Sequence, residues 1–211
     1  MKQALITFVK APVPGKVKTR LQAGTGPEKA AALYRTFVKE LTGKCSRLRG
    51  VDRFLGCTPS PGHPFLRDIA AACGMKTFTQ RGTTLGERIF NAFRHCAKRG
   101  YSEMVLIGSD SPSLPLSFIR KAFSVLRTHD LVIGPCFDQG LYLIGVRREK
   151  IRELSRHIPI DTGRDVQGIL EVMHARDKPL HVLPFWYDID DVNDLEFLRL
   201  HLRHLKNPLL L

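Results

Sequence analysis

Nowhere in the 211 residues does an apolar run approach the roughly 18 residues that a membrane span requires. The start, Met1-Lys2-Gln3 ahead of a short β-rich run, lacks the apolar core and small-residue cleavage site of a secretory leader. A cytoplasmic protein without a membrane partner is the expectation. The five cysteines, Cys45, Cys57, Cys73, Cys96 and Cys136, are odd in number and show no CxxC spacing, which excludes the pattern of a disulfide framework or a zinc knuckle. They read instead as small buried hydrophobes in a reducing compartment. Internal repeats, low-complexity tracts and linkers are missing as well, so residues 1–211 are expected to form a single domain.

Negative charge is scarce in the first half. Residues 1–100 carry nineteen Lys/Arg against five Asp/Glu, whereas residues 101–211 carry fourteen against fifteen. A basic half suits a polyanionic ligand, and an acidic half suits metal ions. Aromatic and basic residues do not interleave as in a stacking platform, so nucleic acid is not an expected partner. The share of hydrophobic residues, 43%, and of charged ones, 25%, is that of a globular protein and excludes a disordered, collagenous or coiled-coil chain.

Apolar periodicity gives alternating elements. Strands are expected at 4–9, 53–57, 76–79, 104–107, 131–134, 141–146 and 180–183. Helices are expected from Pro27 through Leu41 and at 64–73, 85–98, 116–127, 165–174 and 192–205, with a Pro/Gly-rich loop over 11–26. The run at 4–9 (ALITFV) is apolar almost throughout, the mark of a strand buried on both faces. Strands alternating with helices mean an α/β fold with a mostly parallel sheet, because parallel strands need helical crossovers. Such sheets bind ligands at the carboxyl ends of their strands, which directs attention to the loops after the first and fourth.

The first of these loops is Lys10-Ala11-Pro12-Val13-Pro14-Gly15-Lys16-Val17-Lys18-Thr19-Arg20. Two prolines restrict its path, Gly15 permits close backbone approach, and Lys10, Lys16, Lys18 and Arg20 supply the cations of a phosphate cradle. It is not a Walker A loop, because Val17 stands where Ser or Thr would hold Mg²⁺. The second is Ser109-Asp110-Ser111-Pro112, a carboxylate placed to hold a divalent metal on a phosphate. Asp138-Gln139-Gly140 reads equally well as a turn and as a site. Asp188, Asp190, Asp191 and Asp194 follow Phe185-Trp186-Tyr187; one or two of them can cap the final helix, and four caps for one helix are too many.

Five motifs, FVKAPVPGKVKTRL, LGERI at 85–89, IGSDSPSLP, FDQGLYLIG and WYDIDDVNDL, run in this order from Phe8 to Leu195. Together they resemble the bacterial glycosyltransferase-like family often labelled radical-SAM/selenodomain-associated transferases, relatives of the GT-A nucleotide-diphospho-sugar transferases and small nucleotidyltransferases. The resemblance implies a three-layer α/β/α GT-A-like fold with a mostly parallel mixed sheet. It implies nucleotide binding by Lys10, Pro12, Gly15, Lys16, Lys18, Thr19, Arg20, Gly82, Leu85 and Arg88, with catalytic roles for Lys16, Arg20 and Asp110. It further implies a Mg²⁺ or Mn²⁺ ion on Asp110 and Asp190, and an acceptor side formed by Asp138, Gln139, Gly140, Thr162 and Asp188. The chain departs from the family at Gln139 and Leu141, where Gly and an aromatic are frequent, and at Pro159-Ile160-Asp161-Thr162, which replaces a Trp-Ser-Thr segment.

Two reactions share this fold. Glycosyl transfer from a nucleotide-sugar commonly uses an Asp-x-Asp after the fourth strand to hold the leaving diphosphate through a metal. Here that loop has one carboxylate and the second comes late, which resembles nucleotidyl transfer from a nucleoside triphosphate with release of pyrophosphate. A nucleotide-binding module without turnover is a third reading. No general base is identifiable, so the acceptor is expected to be a small anion needing no deprotonation. The assembly is expected to be a monomer or homodimer.

Overall fold

The computed structural model describes residues 1–205; the apolar tail at 208–211 lies outside them. Its strands are β1 (Gln3–Lys10), β2 (Val51–Thr58), β3 (Lys76–Thr79), β4 (Glu103–Ile107), β5 (Leu131–Pro135), β6 (Leu141–Arg147) and β7 (Leu180–Val182). They form one sheet in the order β3-β2-β1-β4-β6-β5-β7. Only β6 runs against the rest: it pairs antiparallel with β4 and β5, and every other pairing is parallel. The seven strands and the mostly parallel mixed sheet are those expected from the sequence.

The helices are α1 (Thr19–Thr25), α2 (Pro27–Cys45), α3 (Pro64–Ala72), α4 (Leu85–Ala97), α5 (Leu116–Val125), α6 (Ile151–Leu154), α7 (Asp165–Ala175) and α8 (Val192–Leu205), with a 3₁₀ turn at Arg148–Lys150. None of the described helices is long and apolar enough to cross a membrane. Because side chains alternate along a strand, β1 serves two cores. Ala4, Ile6 and Phe8 join Phe90 and Phe93 of α4 and Ile169 and Met173 of α7 on one face. Leu5 joins Leu41 of α2 and Ile119 and Phe123 of α5 on the other, and Val9 joins Tyr34, Val38 and Leu66 there. Helices on both faces make the three-layer α/β/α arrangement.

Two expectations need correction. The loop over 11–26 contains α1, because Leu21 is fully buried against Phe37 of α2 and Leu198 and Leu202 of α8, and that single anchor leaves no periodicity to read. The short α6 also escapes the pattern, since Ile151 and Leu154 give only one turn of it.

Connectivity places the site. The chain steps from β1 outward through β2 and β3, then returns to lay β4 on the other side of β1. The adjoining carboxyl ends of β1 and β4 therefore flank a topological switch point, where open α/β sheets leave a crevice. Since β6 is reversed, the turn at 136–140 lies at this same edge, with the segment that follows β7.

Candidate active site

β1 ends at Lys10, whose N–H donates to the Tyr34 hydroxyl at 2.9 Å, and that hydroxyl lies 2.8 Å from Ser109 Oγ. Buried Tyr34 thus ties the loop after β1 to the loop after β4. Burial raises its pKa, so the phenol stays protonated.

Lys18 enters α1 in the left-handed conformation, with φ 49°. Its side chain is only 5% exposed, and Nζ lies 2.5 Å from Asp110 Oδ1 and 2.9 Å from Asp190 Oδ1. Burial lowers the Lys18 pKa, but Asp110 and Asp190 outweigh it and hold the ammonium above its ordinary value. Arg20, largely exposed, lies 3.8 Å from Asp190 Oδ2. The Ile189 N–H donates to the Asp110 carbonyl at 2.9 Å, stitching the two acidic segments together through the backbone. The early and late carboxylates thus meet around one cation. Lys18, one of the four expected phosphate cations, spends its charge on them, while Lys10, Lys16 and Arg20 stay exposed, as do Gly15 and Thr19. Pro12 is buried beneath the loop.

The four late aspartates divide cleanly. Asp191 accepts the N–H groups of Asn193 and Asp194 at 2.8 and 3.2 Å, and Asp194 accepts those of Asp190 and Asp191 at 2.8 and 3.0 Å. This reciprocal capping box starts α8 and leaves Asp188 and Asp190 to the site.

Asp138 Oδ1 accepts the Gly140 N–H at 2.9 Å and shapes the β5–β6 turn. One ligating atom each of Cys136, Asp138 and Asp188 lies within 4.8 Å of the others. Burial, then the neighbouring Asp190 and Asp138, push the Asp188 carboxyl up to about 6. Gln139 sits at φ 72°, a conformation that suits the glycine frequent there in the resembling family. The Val166 N–H donates to the Gln139 carbonyl at 3.2 Å, which brings the start of α7 to this turn. Thr162 there is exposed but occupied: its N–H and hydroxyl both donate to Asp165 at 2.8 Å.

The β3–α4 loop lies close to the same segment, since a Cβ on Gly86 would come within 3.3 Å of Ile160. Within it, Arg88 Nε donates to the Gly82 carbonyl at 3.0 Å, and Leu85 is 39% exposed. Sequence reasoning passed over Tyr34 as a site residue, named Ser109 only as a neighbour of Asp110, and read Cys136 only as a hydrophobe.

The donors fit a hard divalent cation. Asp110 and Asp190 each give one oxygen to Lys18; the second oxygen of Asp190 has, among the described residues, only the exposed Arg20 at 3.8 Å, and Mg²⁺ characteristically takes one or two carboxylates plus substrate phosphates. The Cys136 thiol, whose pKa burial raises, is protonated and soft, and suits such an ion poorly.

With its basic loop and paired carboxylates at the β1/β4 switch point, the chain has a GT-A-like fold and falls among the transferases. The chain belongs to the DUF2064 family, described as uncharacterized proteins conserved in bacteria, whose sequence profile matches residues 41–162. It is 35% identical to a Desulfovibrio desulfuricans G20 protein provisionally named a nucleotide-diphospho-sugar transferase, with a TM-score of 0.86 over 99% of this chain and 90% of that one. CMP:2-keto-3-deoxy-manno-octonic acid synthetase, solved with CTP, shares the fold at 10% identity and a TM-score of 0.63, covering 97% of this chain and 100% of that one. So does Rv0371c of Mycobacterium tuberculosis H37Rv, solved with manganese, at 16% identity and a TM-score of 0.53, covering 94% and 98%. No curated protein matches the chain.

Proposed function

We propose that this protein is a cytoplasmic, Mg²⁺- or Mn²⁺-dependent nucleotidyltransferase that joins the nucleotidyl group of a nucleoside triphosphate to a small anionic acceptor and releases pyrophosphate. The observation that carries the reading is the meeting of Asp110 and Asp190 around Lys18 at the switch point. The relative solved with CTP and the one solved with manganese support it.

In this reading Asp110 and Asp190 would hold the metal, which would supply positive charge against the triphosphate. Lys16 and Arg20, exposed on the loop after β1, bind the phosphates by charge-assisted hydrogen bonds. Lys18 keeps Asp110 and Asp190 together and neutralises part of their charge before the nucleotide arrives. Asp138 and Asp188 make the far wall acidic, so the anionic end of the acceptor is directed toward the basic loop and its neutral part toward that wall.

Glycosyl transfer from a nucleotide-sugar is the second reading, favoured by the name of the 35%-identical relative. One assay pair separates them. Metal-dependent pyrophosphate release from triphosphates is measured against phosphorylated and carboxylated acceptors, alongside nucleoside-diphosphate release from sugar nucleotides. The proposal expects pyrophosphate, lost in Asp110→Asn. Nucleoside diphosphate that requires Asp110 and an acceptor, with no pyrophosphate, overturns it in favour of glycosyl transfer.

A further inference from the structure

At the opposite, amino edge of the sheet, a cavity of about 410 Å³ opens between the α2–β2 connection and α5. Arg47, Arg49, Arg120 and Arg127 line it, over an apolar floor that includes Leu48 and Phe123. Among the described residues, none of the four guanidinium groups makes a salt bridge, donates a hydrogen bond to a carbonyl or covers an aromatic ring. No carboxylate lines the cavity. The nearby Glu103 is buried and takes the Gln3 amide at 2.7 Å.

Arginines just past a helix end often offset the helix dipole, and Arg47 and Arg127 follow the ends of α2 and α5. That accounts for neither the number nor the placement, since Arg120 lies within α5 and Arg49 in the turn before β2. The carrying segment is built. Arg53 donates to the Ser46 and Leu48 carbonyls at 2.9 and 3.1 Å and so fixes the backbone that presents Arg47 and Arg49. Four like charges around one hollow repel one another unless an anion joins them, and guanidinium forks match phosphate oxygens two at a time. The concavity and its apolar floor suit a compact ligand more than a polymer backbone, which would follow a ridge or an open groove.

We propose that this cavity is a second anion site, separate from the nucleotide loop, that binds a small ligand carrying an oligophosphate group. The shared chemistry is the oligophosphate, free or on a nucleoside. The test is calorimetric titration of the full chain without divalent metal, using inorganic triphosphate in one arm and a nucleoside triphosphate in the other. A Lys16→Ala/Arg20→Ala variant removes two of the three exposed catalytic-edge cations and leaves Lys10, and it is expected to keep one tight triphosphate site. Adding Arg120→Ala and Arg127→Ala should weaken that site at least tenfold. Arg120→Lys/Arg127→Lys, which keeps the charge, should still weaken it severalfold because the fork is lost. Tighter binding in the nucleoside arm assigns the floor to a base, and equal binding assigns the site to the phosphates alone; both support it. Loss of all binding in Lys16→Ala/Arg20→Ala, or indifference to the Arg120 and Arg127 substitutions, overturns it. So does an RNA oligomer that outcompetes triphosphate at these arginines. No arm reads turnover, so the outcome is independent of the proposed reaction.

Discussion

Lys18→Met keeps the buried hydrocarbon stem and removes the charge that holds Asp110 and Asp190 together. Breaking a buried ion pair by deleting one partner costs about 3–5 kcal/mol. Here the two carboxylates are 42% and 37% exposed and recover part of that from water, so the expected loss is about 2 kcal/mol. For a chain of this size that corresponds to a fall in Tm of about 4–8 °C. Arg20, at 3.8 Å and 71% exposed, is too loosely held to replace the ammonium. The same substitution removes the cation that competes for the carboxylate oxygens, so Mn²⁺ should stabilise the variant more than the parent. Saturation near 100 times Kd is worth about 2.7 kcal/mol and should offset the whole loss. Urea denaturation gives the first quantity, and thermal melts across a Mn²⁺ series give the second. A variant that melts within about 1 °C of the parent and gains no more from Mn²⁺ would refute the electrostatic account of the site.

The Asp188 carboxyl titrates near 6 in the fold, above its ordinary value, so its ionisation opposes folding. The penalty is absent below about pH 4, grows up to about pH 6 and is constant above, and Asp188→Asn should relieve about 1–2 kcal/mol at pH 8 after allowance for solvent screening. Equal effects on urea stability at pH 4 and pH 8 would contradict this. Asp191→Ala should cost about 1 kcal/mol by uncapping α8 while leaving Mn²⁺ affinity intact, whereas Asp190→Asn should weaken Mn²⁺ with little loss of stability; paired melts and metal titrations check the split. Gly134→Ala should destabilise by about 1–3 kcal/mol in urea, because the new Cβ would lie 2.3 Å from the Tyr142 ring. A neutral result there would mean that the sheet yields at β5.

The parts of the fold that could be read in advance are those whose burial writes a period into the chain. β1 is apolar at every position from Ala4 to Phe8 except Thr7, and α8 repeats Leu195, Leu198 and Leu202 at helical spacing, so both stand out. α1 does not, because one buried residue, Leu21, anchors it and its entry depends on the left-handed turn at Lys18. The motifs pointed to Asp110 and Asp190, but the role of Lys18 depends on where a folded loop aims one side chain, and neighbouring cations in sequence gave no sign of it. Likewise the environment of Asp188 comes from burial and from Asp190 and Asp138, the last of which belongs to another turn. Spacing along the chain carries no record of such a meeting.

One reversed strand has an effect on how this scaffold can change. With β6 antiparallel, the turn at 136–140 is a short hairpin, closed by the Cys136 N–H to the Gly140 carbonyl at 2.8 Å, rather than a crossover that must carry a helix. It is tied to the start of α7 by the Val166 N–H to the Gln139 carbonyl and to the segment after β7 by the bridge between Cys136 and Trp186, rather than to the loops after β1 and β4. In the proposed reading, the part of the site that binds the nucleotide rests on the parallel strands, and the part that meets the acceptor rests on this hairpin. A change confined to that hairpin is therefore expected to alter acceptor choice in the proposed reaction while leaving the loop at residues 10–20 in place.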